Sequence, residues 1–337
     1  MTMPTLARDS HRIVIAGASS LLGAELKSLL EESRFAAADF RLVDEAIVAG
    51  TLTEAGGEPA IIQPVEEGSF NRARTVFFTG SAQFTRANLS AAQAAGAKII
   101  DLSGAAVEVP GTMTWFPKLD WLRGNKFGKD AKLYAIPSAA ATASSSLTLA
   151  LSKLELLRLM VICFQPASEA GRRGVEELES QTGQLLSFQG LGQPVFDSQV
   201  AFNLLDRFGP ASLQKLAGIR ERLRRETSAC LLGKASMPAL QLVHAPVFYG
   251  TAFAACAELA PAMMPQEIIA ACESAGFAVL ADAAGGPSNV SAAGEQVIQL
   301  AKPEADPSKP GTWWFWGAAD NIRLPAANAV KLAEMLS

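Results

Sequence analysis

The sequence predicts an α/β protein, a doubly wound parallel sheet followed by an α+β domain built on a mixed, largely antiparallel sheet. Three observations predict it. Short apolar runs alternate with helical stretches over about the first 130 residues. Longer strand-like segments rich in β-branched and aromatic residues follow. The length of 337 residues with 49% hydrophobic content suffices for about two cores.

RIVIAG, starting at Arg12, is a short apolar run ending in glycine, and ASSLLGAELKSLLEES continues it with apolar residues at helical spacing, giving a strand, tight turn and helix. FRLVDE, TVFFTG, the helix-like FTRANLSAAQAAGA and the strand KIIDLSG repeat the theme, which implies a parallel sheet. KLYAIPS is a further strand, followed by a small-residue helix, AAATASSSLTLALSKL, with a domain boundary near Ile136. LLRLMVICFQPAS is a long strand, and GRRGVEELESQTGQLLSF is an amphipathic helix entered through glycine. ALQLVHAPVFYGTAFAACAEL predicts a long strand or a hairpin, with Pro246 and Gly250 disturbing the ladder. The C-terminal stretch gives an aromatic strand containing Trp313, Trp314 and Trp316, a core or interface element or else a ligand wall. A helix with apolar positions Ala327, Val330, Leu332 and Leu336 ends the chain. Residues 1–135, completed by a helix over 320–337, are expected to form the first domain and 136–319 the second.

Composition excludes several classes of function. Lys+Arg 29 against Asp+Glu 33 gives a net charge of -4 without a basic cluster, so no nucleic-acid partner is expected. No apolar stretch precedes the first strand and no window holds the roughly 20 apolar residues that span a bilayer, so neither a secretory signal nor a membrane anchor is expected. Cys163, Cys230, Cys256 and Cys272 form neither a metal clip nor a disulfide framework, which fits a reducing cytoplasm. With His11 and His244 the only histidines, no metal site is expected.

Phosphates are held where a strand turns into a helix, because unpaired N–H groups and the positive end of the helix dipole face one point. Gly17, Ser19, Ser20, Leu21, Leu22 and Gly23 occupy such a turn. Ser20 stands where the dinucleotide fingerprint has its middle glycine, so the loop reads either as a dinucleotide site or as a structural turn. Asp44 and Glu45 end the second strand with no arginine after them; a carboxylate there accepts from a ribose 2′-hydroxyl and repels a 2′-phosphate, favouring NAD over NADP. The alternative is a solvated acidic loop.

IVIAGASSLLGAEL, VFFTGSAQFT, IIDLSGAA, FQPASEAGRRGVEELESQ, HAPVFYG and ADNIRLPAANAVKLAE, taken in order, resemble the aspartate-semialdehyde dehydrogenases over nearly the whole chain. The resemblance implies a Rossmann-like dinucleotide domain, a dimerisation domain, an NAD(P)-dependent oxidoreductase of amino acid biosynthesis, and a homodimer. It places Gly80 and Asn321 on the cofactor side. In that family a cysteine at a helix start attacks the aldehyde, the thiohemiacetal passes hydride to NADP, and phosphate releases the acyl group. The matching turn, AIPSAAAT, puts Ala139 at the cysteine's position beside Ser138, and alanine forms no covalent intermediate.

The family's histidine base aligns with Thr251, its carboxylate-binding arginine with His244, and its phosphate-binding arginine with Val107; Gln165 matches the glutamine that orients the acyl group. Arg222 in RERLRRET stands for a substrate-segment lysine. His244 reads equally as a structural histidine, Cys163 as a buried small hydrophobe, and Ser138, with no paired base in sight, as a helix cap. Together these changes imply a homodimeric pseudoenzyme of the family, lacking its reaction. The alternatives are an NAD-dependent oxidoreductase of altered chemistry and a non-catalytic scaffold or partner of a paralogous dehydrogenase.

Overall fold

The computed structural model describes residues 12–48, 50–55, 58–260, 263–281 and 285–337. His11 lies outside them. Two compact units form, one from the residues up to 113 with 128–136 and 329–337, the other from 114–127 with 137–328.

The first unit contains β1 (Arg12–Ala16), α1 (Leu21–Glu31), β2 (Asp39–Asp44), β3 (Leu52–Ala55), β4 (Glu58–Ile61), β5 (Gln63–Pro64), β6 (Ala73–Phe78), α2 (Ala82–Ala94) and β7 (Lys98–Asp101). The short β8 (Met113–Thr114) and then β9 (Leu133–Ala135) complete its sheet, in the order β5-β2-β1-β6-β7-β9-β8. Every pairing from β5 through β9 is parallel, as the alternation of strands and helices predicts. Ile13, Val14, Ile15 and Ala16 are all fully buried, because a central parallel strand is covered on both faces and so reads as a continuous apolar run. Helix α1 turns Gly23, Leu26, Leu29 and Leu30 inward, the one-sided stripe of a helix lying on a sheet. The antiparallel β3–β4 hairpin forms a separate two-stranded sheet.

The second unit begins with α3 (Leu119–Arg123), α4 (Ala139–Leu151), β10 (Arg158–Gln165), α5 (Gly171–Leu186) and α6 (Leu216–Leu231). It continues with β11 (Ala239–His244), β12 (Thr251–Glu258), α7 (Pro265–Ser274), β13 (Phe277–Val279), β14 (Ile298–Leu300), β15 (Glu304–Ala305) and β16 (Thr312–Ala319). Helix α8 (Arg323–Leu336) ends the chain, its residues from Ala329 onward belonging with the first unit. The sheet runs β11-β10-β12-β16-β14-β13, mostly antiparallel, with parallel pairs β10–β11 and β13–β14.

The hairpin expectation fails here. Strands β11 and β12 flank β10 instead of pairing with each other, and the link between them crosses the end of β10. Ala245 N donates to Gln165 O, while Ala167 N and Ser168 N donate to Val247 O and Phe248 O, at 2.9 to 3.0 Å. Gly250 makes the final turn at φ +84°, where a Cβ would sit 2.8 Å from Asn289 O, so glycine is required.

One face of this sheet packs on α4, which is buried at twelve of its thirteen positions. Its small residues, AAATASSSLTLAL, let neighbouring elements approach on all sides. Alternation along the strands sends Val161, Cys163, Phe253 and Phe315 to that core. The three C-terminal tryptophans divide the same way: Trp313 is buried, while Trp314 and Trp316 emerge on the opposite face, 48% and 41% exposed, beside Ile162. Loop 192–201 is held by two buried side chains of α5. Glu177 accepts from Val195 N and Phe196 N, and Gln181 accepts from Val200 N and Ala201 N. Arg123, also buried, donates through Nε to Cys230 O at 2.6 Å and closes the end of α6. Among the described residues no helix is long and apolar enough to cross a membrane.

His244, at the end of β11, is fully buried, with its ring centroid 5.2 Å from those of Phe196 and Phe208. Among the described residues neither ring nitrogen has a hydrogen-bond partner. Burial lowers its pKa from 6.5 to about 4. The unfolded chain therefore binds the proton first as pH falls, and stability that is intact above 6.5 drops between 6.5 and about 4. His244→Phe is expected to remove that slope, which in the parent reaches on the order of 3 kcal/mol. Urea unfolding across this pH range checks it, and equal slopes in the two proteins would contradict it.

Candidate functional site

In the first unit, the turn between β1 and α1 is shaped by backbone contact. Gly17 has φ +95°, and a Cβ there would lie 2.1 Å from Gly80 N, so the loops after β1 and β6 touch backbone to backbone. A Cβ on Gly23 would lie 2.5 Å from Gly17 O. Ser20 is the N-cap of α1: its Oγ accepts from Gly23 N at 2.9 Å and donates to Thr79 O at 3.0 Å. The hydroxyl that replaces the usual glycine is thereby folded against the protein. Among the described residues, the N–H groups of Leu21 and Leu22 at the helix start have no partner. Two adjacent donors at the positive end of a helix dipole fit one anionic oxygen pair of a pyrophosphate.

Asp44 lies at this loop, but its carboxylate faces inward. Oδ2 accepts from Ser19 N at 2.8 Å and Ser19 Oγ at 2.6 Å, and Oδ1 accepts from Glu45 N at 2.8 Å. About four acceptor sites exist on a carboxylate, so roughly one is left for a ribose hydroxyl. Asp44 is buried and braces the loop, which departs from the solvated acidic loop that the sequence also allows.

Of the family's chemical positions, Gln165 and Thr251 line a recess in the second unit, about 380 Å³ with its open mouth and about 30 Å³ within. Ser138, Gln165, Glu169, Arg222 and Thr251 line it on the polar side. Ser138 caps α4, accepting from Ala141 N at 3.3 Å. Ala139, the first helical residue, is 1% exposed and belongs to the core. Cys163 is fully buried, 3.9 Å from Ser144 Oγ, and burial pushes its pKa up to about 12; it is a thiol with no thiolate character.

Ser138 does have a carboxylate partner, contrary to the sequence reading. Its N–H and Oγ donate to Glu226 Oε2 at 3.0 and 2.6 Å, and Arg222 Nε meets Glu226 Oε1 at 2.6 Å. Glu226 is fully buried, and both its carboxylate oxygens are engaged, one by Ser138 and one by Arg222. The serine's lone pairs meanwhile face the Ala141 N–H, so this contact secures the cap.

Asn321 is buried beside the same recess. Its Oδ1 accepts from Gly250 N at 2.8 Å, and its Nδ2 donates to Ser168 Oγ at 3.1 Å and Glu169 Oε1 at 3.2 Å. Burial raises the pKa of Glu169, with Arg222 and the Asn321 hydrogen bond opposing the shift. His244 lies outside the lining, in its phenylalanine cage, and Val107 belongs to the first unit.

Sequence reasoning missed Glu169 and Glu226. Glu226 was signalled by its place four residues after Arg222 on one helix, where opposite charges meet. No local pattern pointed to Glu169. Among the described residues no group of histidines, cysteines and carboxylates is arranged to hold a metal ion.

Residues 12–114 match the family model described as the semialdehyde dehydrogenase NAD binding domain, and residues 148–324 match the semialdehyde dehydrogenase dimerisation domain. The chain is 30% identical to a USG-1 protein homolog of Azotobacter vinelandii over 96% of its own length and 97% of that protein's. A second USG-1 protein homolog, from Pseudomonas aeruginosa, is 29% identical over 96% and 97%. The solved structure of a probable aspartate-semialdehyde dehydrogenase from Pseudomonas aeruginosa superposes with a TM-score of 0.85 at 27% identity, covering 97% of this chain and 98% of that one. With both domain models matched in order, this chain belongs to the semialdehyde dehydrogenase family that includes the aspartate-semialdehyde dehydrogenases.

Proposed function

We propose that this chain is a homodimeric, nicotinamide-nucleotide-binding family member that does not carry out phosphorylating semialdehyde oxidation. One observation carries the reading: at the start of α4, where the family's nucleophile stands, there is the methyl group of Ala139, and the neighbouring hydroxyl of Ser138 is engaged as a cap. Thr251 at the base position cannot exchange a proton near neutral pH. His244 is enclosed between two phenyl rings and presents no fork for a carboxylate.

A bound nicotinamide nucleotide would supply a hydride acceptor. The groups that would hold its pyrophosphate are Leu21 N and Leu22 N, with Gly17, Ser19, Ser20, Gly23 and Gly80 shaping the loop. Asp44, negative and followed by Glu45, favours NAD over NADP. The exposed face carrying Ile162, Trp314 and Trp316 is the surface we assign to a second copy, in keeping with the dimerisation domain match. The free state of all four cysteines accords with a reducing cytoplasm.

Calorimetric titration of the protein with NAD and NADP is expected to give micromolar binding of NAD, about -8 kcal/mol, and weaker binding of NADP. Gly17→Val should abolish binding, since its side chain would collide with Gly80. Heat from neither nucleotide would remove the nucleotide half of the proposal.

Aspartate semialdehyde with NAD or NADP and phosphate should yield no turnover above background. The double change Ala139→Cys with Thr251→His should leave turnover inefficient, because Val107 and His244 still lack the anion-binding groups. Robust phosphate-dependent reduction of nucleotide by the unmodified chain would refute the catalytic half.

Trp314→Glu, placing a charge in the middle of the exposed face, is expected to shift the protein from dimer to monomer in sedimentation velocity. A parent protein that sediments as a monomer would overturn the assignment of that face.

A further inference from the structure

The outward face of the second sheet is corrugated. Register sets Met160 of β10 beside Ala239 of β11 and Cys256 of β12, and Ile162 beside Gln241 and Ala254. Trp314 and Trp316 of β16 stand opposite Cys256 and Ala254. Residues facing each other across paired strands point to one side, so all of these share the outward face. Column by column it is small on β11, large on β10, small on β12 and large on β16. Phe164 and Trp316 lean together across β12, their ring centroids 5.9 Å apart, which leaves the hollow at the Ala254–Cys256 end. A groove there is lined by Met160, Ile162, Gln241, Ala254, Cys256 and Trp314.

Two copies of one surface meet about a twofold axis lying in the interface, and each contact occurs twice. With that axis across the strands, every column would face itself, large on large at β10 and empty space at β12. With the axis along the strands, midway between β10 and β12, β10 faces β12 and β11 faces β16. Every large column then meets a small one, the interdigitation by which stacked sheets fill the space between them. The charges agree. Arg158 and Glu258 are cross-strand partners at the ends of β10 and β12, so this axis lays Arg158 of each copy on Glu258 of the other. Beyond β11, Arg220 and Arg224 line the groove, Arg220 bonded to Gln241 and Arg224 held 3.5 Å from Glu221. Beyond β16 lie Glu304, opposite Trp314, and Asp306, which accepts from Trp314 Nε1 at 2.9 Å. The axis along the strands brings these opposite signs together, and the other sets arginine on arginine.

We infer that two copies stack sheet on sheet about an axis parallel to β10 and β12, with Met160 and Ile162 of each copy over Cys256 and Ala254 of the other, and Trp314 of each over Ala239. This inference rests on the proposed assignment of this face to a second copy.

Photocrosslinking of the full chain tests it, with Trp314 replaced by p-benzoylphenylalanine, an aromatic side chain of comparable bulk. The covalent dimer, isolated under denaturing conditions and digested, should join position 314 to the peptide carrying Ala239 and Gln241. A second measurement uses size alone. Ala254→Phe, which fills the hollow, should weaken the dimer about tenfold or more in sedimentation equilibrium, and adding Ile162→Ala should recover it. A crosslink from position 314 to the peptide around position 314 of the other copy, or a dimer tightened by Ala254→Phe, would overturn the inference and leave the dimer face standing. A parent protein that is monomeric would overturn both.

Discussion

A helix buried along nearly its whole length must satisfy its first N–H groups from within the protein, and α4 is such a helix. Its N-terminus is where the family keeps its nucleophile. Here Ser138 caps the first turn through Ala141 N, Glu226 receives both donors of Ser138, and Arg222 pairs with Glu226. Ser138, Arg222 and Glu169 all line the recess, and Asn321 ties Glu169 back to Ser168 and Gly250. Removing the acceptor would leave the buried donors of Ser138 unmatched, so the cap and its carboxylate are fixed together.

The nucleotide loop follows the same logic at another helix start. Ser20 and Ser81 cap α1 and α2, and each accepts from the N–H three residues on. In α1 the cap leaves Leu21 N and Leu22 N unmatched, while Asp44 takes the Ser19 N–H out of play. The starts of α1 and α4 are built alike, a serine accepting from the N–H three residues on, and they differ in what holds that serine: Thr79 O for Ser20 and the Glu226 carboxylate for Ser138.

Much of this was legible in the sequence. The parallel sheet was, because buried strands such as β1 and β6 read as unbroken apolar runs between turn signals. The places of Ala139 and Thr251, at the start of α4 and the start of β12, were also legible, since each follows a recognisable turn. Strands β3 to β5 were not, since they are two to four residues long and two of them contain proline. The partnering of β11 and β12 was hidden for a different reason: period-two alternation says which face a residue takes and nothing about which strand lies next to it. Glu226 escaped notice because its role depends on Ser138, 88 residues away in the chain. Asp44 was found as a site residue, yet its inward bonding to Ser19 depends on the loop conformation and has no sequence signature.

The cage around His244 limits what this position can hold. A guanidinium brings five donors and a permanent charge, and Phe196 and Phe208 offer neither acceptors nor counter-ion. An arginine at this position would need both neighbours rebuilt, or would leave a buried charge unpaired. The aromatic packing therefore makes the site selective for shape and for neutrality at once, so that exchange here is open to uncharged rings and closed to cations.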